Sequence, residues 1–157
     1  MCILTEAVFG KKLQETMTLD QAIEMLTELN LINIGELGEK AISIATNIDQ
    51  CPRNTPEIDL VNGVQIKTSQ TNPERDKTTL RAWFTIKNCR APIALTVTEK
   101  VTKKQYFFFI PYSAYQHVKA NAISIPFDIN GYPLMKNDWW YYNVTTWEKL
   151  CEKVQAC

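Results

Sequence analysis

The chain of 157 residues carries 17 Lys/Arg against 17 Asp/Glu, with 45% hydrophobic and 22% charged residues. That composition suits a single soluble domain over 1–157 whose core needs no staples. No apolar run approaches the ~18 residues of a membrane span, and the N-terminus lacks the basic and apolar regions of an export signal. Five scattered cysteines without CxxC spacing, together with a single histidine, His117, speak against a disulfide scaffold and a Cys/His zinc site. They read as reduced thiols of a cytoplasmic protein.

In chain order, Ile23, Leu26 and Leu29 predict a helix over 21–30, and Ile34, Leu37, Ala41, Ile44 and Ala45 predict a second from Ile34 onward. A loop over 47–56 follows, then a hairpin over 56–67 and a wholly polar surface loop over 70–77. Alternation from Leu80 to Ile86 suggests a strand, with a short helix as the alternative. Residues 93–98 and 106–110 read as strands flanking a lysine-rich turn over 100–104. A helix over 113–119, a short strand over 123–125 and a closing amphipathic helix over 145–154, with Trp147, Leu150 and Val154 inward, complete the chain. The aromatic run from Trp139 to Tyr142 reads as core or dimer contact, with base stacking as the alternative. The succession predicts an α/β (mixed α+β) fold with a central mixed sheet flanked by helices.

The hairpin concentrates the chemistry. Asn62-Gly63 between two alternating runs predicts a two-residue turn with positive φ at both central positions. Asp59 then lies near the start of one strand, while Gln65 and Lys67 share a face of the next. A carboxylate, an amide oxygen and an ammonium so gathered suit metal-assisted phosphodiester hydrolysis, in which hard oxygens hold a divalent ion and a cation steadies phosphate charge. The competing reading is an ordinary strand-edge aspartate beside the solvated face of an amphipathic strand.

Asp59 followed by Gln65-Ile66-Lys67-Thr68-Ser69 resembles the PD-(D/E)XK nuclease superfamily, with glutamine in the second acidic position. The interval from Asp59 to Gln65 is shorter than in most members, and Pro56 lies three residues before the aspartate. The resemblance implies a restriction-endonuclease-like core and Mg²⁺-dependent cleavage of DNA, with Mn²⁺ able to substitute. It assigns catalytic roles to Asp59, Gln65 and Lys67; on that reading Asp59 and Gln65 hold the ion, with the backbone carbonyl of Ile66 as a further candidate ligand. Gly35-Glu36-Leu37-Gly38-Glu39 resembles the N-terminal helix of resolvase-like members, which makes Glu39 a further candidate ligand and catalytic residue. At ~100° per residue, however, Glu39 falls nearly opposite the apolar stripe, and reaches the site only if Gly35, Gly38 and Ile42 face the sheet. Glu36 is the alternative, and a solvated first-turn glutamate is the plain reading of either.

The balanced total conceals an asymmetry. Residues 1–59 hold four Lys/Arg against ten Asp/Glu, a net of −6, and residues 60–157 hold thirteen against seven, a net of +6. The basic half would attract a polyanion, and Ser69, Gln70, Arg75, Lys77, Arg81, Lys103 and Lys104 are the candidate DNA contacts. The expected function is therefore a metal-dependent DNA endonuclease, site-specific in the restriction or homing manner and acting as a homodimer or higher homo-oligomer, since cutting two strands takes two sites. The alternatives are a nuclease-fold DNA-binding or assembly subunit that does not cut, or a nuclease specific for junctions or mismatches.

Overall fold

The computed structural model describes residues 33–157 apart from Arg53, Asn54, Pro56 and Glu57. The helix expected over 21–30 lies outside the described residues. The chain divides into two units between Leu37 and Gly38. Helix α1 (Ile34–Thr46) begins in the first and ends in the second. In the first unit, the Asn33 side chain accepts the Gly35 N–H at 2.8 Å and its carbonyl accepts the Leu37 N–H at 2.9 Å, which satisfies donors that a helix start leaves open.

The second unit is a six-stranded mixed sheet flanked by helices. Its strands are β1 (Gln65–Pro73), β2 (Thr79–Thr85), β3 (Ile93–Thr98), β4 (Gln105–Ile110), β5 (Ala122–Asp128) and β6 (Asn143–Val144). They lie in the order β5-β2-β1-β3-β4-β6. The helical elements after β4 are α2 (Tyr112–Tyr115), a 3-10 helix (Asp138–Tyr142) and α3 (Trp147–Gln155).

Strand β1 organises the sheet because its pairing changes along its length. From Gln65 to Gln70 it runs parallel to β3, with Gln65 opposite Ile93 and Gln70 opposite Thr98. Antiparallel pairing with β2 is confined to Thr71, Asn72 and Pro73, opposite Ala82, Arg81 and Leu80. Ahead of Thr71, β2 diverges. Where the ladder stops, the Ser69 hydroxyl donates to the Trp83 carbonyl at 2.7 Å, standing in for a backbone bond.

Alternation then divides the apolar residues between two cores. On one face, Leu80, Phe84, Leu95, Phe108, Ile125 and Phe127 pack together. The buried Trp140 ring meets Tyr106, Phe108 and Phe127 edge-on there, 5.5, 5.1 and 5.3 Å between centroids. The aromatic run is thus partly core, while Tyr141 stands 86% exposed. On the other face Ile66, Ala94 and Val144 from the sheet pack with Ile42 of α1 and Leu150 and Val154 of α3. Thr146 caps α3 by accepting the Lys149 N–H at 3.2 Å, and the Asn62 amide donates to the Val154 carbonyl at 2.8 Å, tying the helix end to the hairpin.

Three elements differ in length from the sequence reading. Strand β1 continues through Pro73, where a polar loop was expected, because Thr71 is buried with its hydroxyl on Glu99 instead of against apolar neighbours. Strand β5 reaches Asp128 past Pro126, which an edge strand tolerates because its missing N–H needs no partner. The helix expected over 113–119 is the single turn α2, ended where the Val118 N–H closes back on the Tyr115 carbonyl.

Helix α1 comes close to the sheet at Gly38. A Cβ there would overlap the Thr68 Oγ1, a buried hydroxyl with no hydrogen-bond partner among the described residues. We predict that Gly38→Ala costs about 1–3 kcal/mol by overpacking, and that Thr68→Ala restores much of that loss. Denaturant unfolding of both single variants and the double variant measures it; additive losses would mean that the two residues do not meet.

Candidate functional site

The turn that carries Asp59 into place is longer than the two-residue loop expected from Asn62-Gly63. The Gly63 N–H bonds to the Leu60 carbonyl at 2.9 Å, and the Asp59 and Leu60 N–H groups both reach the Val64 carbonyl, at 3.0 and 3.1 Å. Gly63 takes the left-handed conformation at φ 91°, whereas Asn62 is not among the positive-φ residues. This is a three-residue connection ending in a glycine bulge. Asn62 is drawn off to cap α3, which explains why it does not share the turn's left-handed geometry. Across the other edge of this arm, the Cys51 N–H donates to the Asp59 carbonyl at 2.7 Å and the Val61 N–H to the Asp49 carbonyl at 3.0 Å. The Asp59 backbone is therefore gripped from both sides.

Its side chain meets β1 at a defined edge. The Gln65 N–H donates to the Pro92 carbonyl at 2.9 Å, toward β3. Successive backbone groups alternate in direction along a strand, so the N–H and C=O of Ile66 face the edge that β2 has left open. There Asp59 Oδ2 accepts the Ile66 N–H and the Gln65 Nε2, both at 2.6 Å. Lys67 projects on the same face as Gln65, and its ammonium acts on Asp59 through space. The structure thus brings Asp59, Gln65, Ile66 and Lys67 together. Burial pushes the Asp59 carboxyl above its ordinary value, and the Ile66 N–H, the Lys67 charge and the Gln65 amide oppose that rise without cancelling it.

Glu39 comes partway to this patch. With Gly38 and Ile42 on the sheet side of α1, Glu39 lies on the helix flank, and its Oε2 accepts the Gln50 Nε2 at 3.5 Å. Gln50 bridges to Leu60, the neighbour of Asp59. Glu36 sits exposed in the first turn of α1. Among the described residues no three His, Cys, Asp or Glu side chains gather as a metal site. A cation at Asp59 would therefore depend on amide and carbonyl oxygens as well. The donor types suit a hard divalent ion, a carboxylate from the arm with an amide and a backbone carbonyl of β1, although Gln65 turns its Nε2 and not its oxygen toward Asp59.

The expected DNA contacts are spread more widely. Ser69 is buried with its hydroxyl committed to Trp83, so its expected place on a DNA-contacting surface is corrected to a fold-bridging one. Gln70 is half-buried on β1. Arg81 donates to the Ser124 hydroxyl at 2.9 Å and lies 3.9 Å from Glu74. Arg75 and Lys77 are exposed on the turn after β1, Lys103 and Lys104 on the turn after β3. Because β1 and β3 are parallel, both turns stand at the end of the sheet opposite Asp59.

Sequence reasoning missed the cage around Glu99, a fully buried carboxylate. Its oxygens accept the Val101 N–H at 2.9 Å, the Thr102 N–H at 2.6 Å, the Thr102 hydroxyl at 2.7 Å and the Thr71 hydroxyl at 3.1 Å. Burial raises its pKa, but these hydrogen bonds prevail and hold it below its ordinary value. A glutamate beside four lysine or threonine neighbours reads as solvated turn, so only the long-range approach of Thr71 reveals it.

The described cysteines, Cys51, Cys89, Cys151 and Cys157, are free thiols. Among the described residues no helix is long and apolar enough to cross a membrane. No protein-family model matches the chain, and no curated protein matches it.

The raised Asp59 pKa has a stability consequence. The folded state holds the proton more tightly than the unfolded chain, so the ionised carboxylate opposes folding. That penalty is absent well below 3.8 and grows as pH rises from there through the folded value. Asp59→Asn, which keeps an oxygen for the Ile66 N–H, should melt at or above the wild type at neutral pH, with the difference closing in acid. Thermal melts across pH measure it; a wild type more stable than the variant at neutral pH but not in acid would contradict the assignment.

Proposed function

We propose that the chain is a metal-dependent DNA endonuclease built on the arm of Asp59, Gln65, Ile66 and Lys67. The observation that carries this reading is the Asp59 carboxylate on the Ile66 N–H, because it puts a carboxylate and an amide beside the edge of β1 that does not pair with β3. Lys67 stands two residues along, on the Gln65 face. The chain's resemblance in the Asp59…Gln65-x-Lys67 pattern to PD-(D/E)XK nucleases supports the same reading.

When bound, Mg²⁺ or Mn²⁺ would supply Lewis-acid polarisation of a phosphate oxygen and its attacking water. Asp59, Gln65 and the Ile66 carbonyl would hold the ion, and Glu39 would reach it from α1. Lys67, as an ammonium, would orient the water and offset the charge growing on the phosphate; as the new P–O bond forms the water's proton passes to bulk solvent, and as the bridging P–O bond breaks the leaving oxygen takes a proton from solvent. With one carboxylate replaced by an amide, the ion is held by less negative charge, which favours a single-ion mechanism. Cleavage of both strands would use a homodimer or higher homo-oligomer. A duplex chosen by sequence in the restriction or homing manner is the favoured substrate.

One observation favours a second reading. Gln65 spends its amide N–H on Asp59 itself, so the pair satisfies part of its own polarity without an ion. A DNA-binding or assembly subunit that does not cut would have this arrangement as its resting and final state.

A plasmid-nicking assay with Mg²⁺, Mn²⁺ or EDTA separates the two. We expect nicking that EDTA abolishes, and a loss of about 10²-fold or more in Asp59→Ala and in Lys67→Ala with the fold intact. Undiminished cutting by either variant would refute the assignment. Gln65→Glu should tighten Mn²⁺ binding in calorimetric titration, since it adds a charge to the donor set; an unchanged affinity would place Gln65 away from the ion.

A further inference from the structure

The turn between β3 and β4 differs from the other basic turn in how its charge is balanced. In the 74–78 turn, Arg75 and Lys77 are offset by Glu74 and Asp76. In the 99–104 turn, the one acid is Glu99, and it is buried beneath the turn while Lys100, Lys103 and Lys104 are exposed. Glu99 also fixes the turn's shape, since it accepts the Val101 and Thr102 N–H groups and ties them to Thr71 at the end of β1. The Thr71 hydroxyl in turn accepts the Lys100 N–H at 3.1 Å, and Lys100 Nζ donates to Asn72 Oδ1 at 2.8 Å. On the remaining side, a Cβ at Gly131 would overlap the carboxylate, so the backbone after β5 closes the cage. A turn whose backbone is fixed in this way loses little further backbone freedom when an anion binds, and it presents the exposed Lys103 and Lys104.

Its distance from Asp59 follows from register. Ile66 lies opposite Ala94, and the turn begins past Thr98. Four residues of strand at ~3.3 Å each, plus the depth of the turn, separate the two places by roughly 20 Å. That is about six base pairs of duplex at ~3.4 Å per pair.

Resting on the proposed nuclease reading, we infer that the 99–104 turn is a second phosphate-binding element, engaged by the same duplex that lies at Asp59, so that full affinity needs about six base pairs on one side of the cleavage point. Lys103 and Lys104 contact phosphates without reading sequence, and Glu99 positions them from below. A short duplex reaches one of the two places, whereas a long duplex spans both.

The test uses the full chain, without divalent ions, and hairpin-closed DNA stems of about 5 and about 18 base pairs. The wild type should bind the long stem at least about tenfold more tightly than the short one, beyond the gain expected from the number of registers. Lys103→Glu with Lys104→Glu should reduce that ratio to the register count and lower the salt slope on the long stem by about two. Lys103→Gln with Lys104→Gln serves as a milder variant should charge reversal disturb the fold. An unchanged ratio in a folded variant, or no binding of either stem, would overturn the inference. A chain that shows the length effect without nicking DNA supports the second element and counts against cleavage, which keeps the two readings separable.

Discussion

Because the Gln65 N–H is taken by Pro92 on the β3 side, the Ile66 N–H must find its acceptor at the opposite edge, and that acceptor is the Asp59 carboxylate. The constraint depends on β2 leaving β1 ahead of Thr71. Had the antiparallel ladder continued to Gln65, the Ile66 backbone would be consumed within the sheet and Asp59 would have nothing to bind. A buried strand edge with unpaired groups is costly. Here the cost is offset by a side chain from the arm that precedes the strand, and the same edge is left polar enough to receive a ligand.

Buried Glu99 and half-buried Asp59 show how environment divides roles between chemically similar groups. Glu99 is enclosed by two amide N–H groups and two hydroxyls, which outweigh its burial and keep it ionised. It behaves as a structural anion that holds a turn. Asp59 has one amide N–H and one side-chain amide, too few to outweigh burial, and its carboxyl is raised instead. A carboxylate left short of donors gains the most when a cation arrives, and a site that sacrifices some folding stability in that way is a common mark of function.

Much of this architecture could be read from residue patterns. Alternation placed β3 over 93–98, and the 3.6-residue spacing of Trp147, Leu150 and Val154 placed α3. The association of Asp59 with Gln65 and Lys67 was legible because a short turn forces sequence neighbours into contact. Longer-range features were hidden for definable reasons. The second half of β1 carries no apolar alternation, since Thr71 is buried against a carboxylate 28 positions away. The role of Ser69 depends on the place where β2 departs, which no local pattern specifies. Asn62-Gly63 suggested the tightest hairpin, yet the Asn62 amide serves α3, 92 positions on.

The most direct test of the central claim is Mn²⁺-induced broadening of backbone amide signals in the isotope-labelled chain. A divalent ion at the open edge of β1 should broaden Gln65, Ile66 and Lys67 before all others, and Asp59→Ala should remove that effect at the same ion concentration. Broadening centred on other acidic residues, such as Asp76 or Asp128, or broadening at Ile66 that persists without Asp59, would contradict a metal-dependent site at this edge.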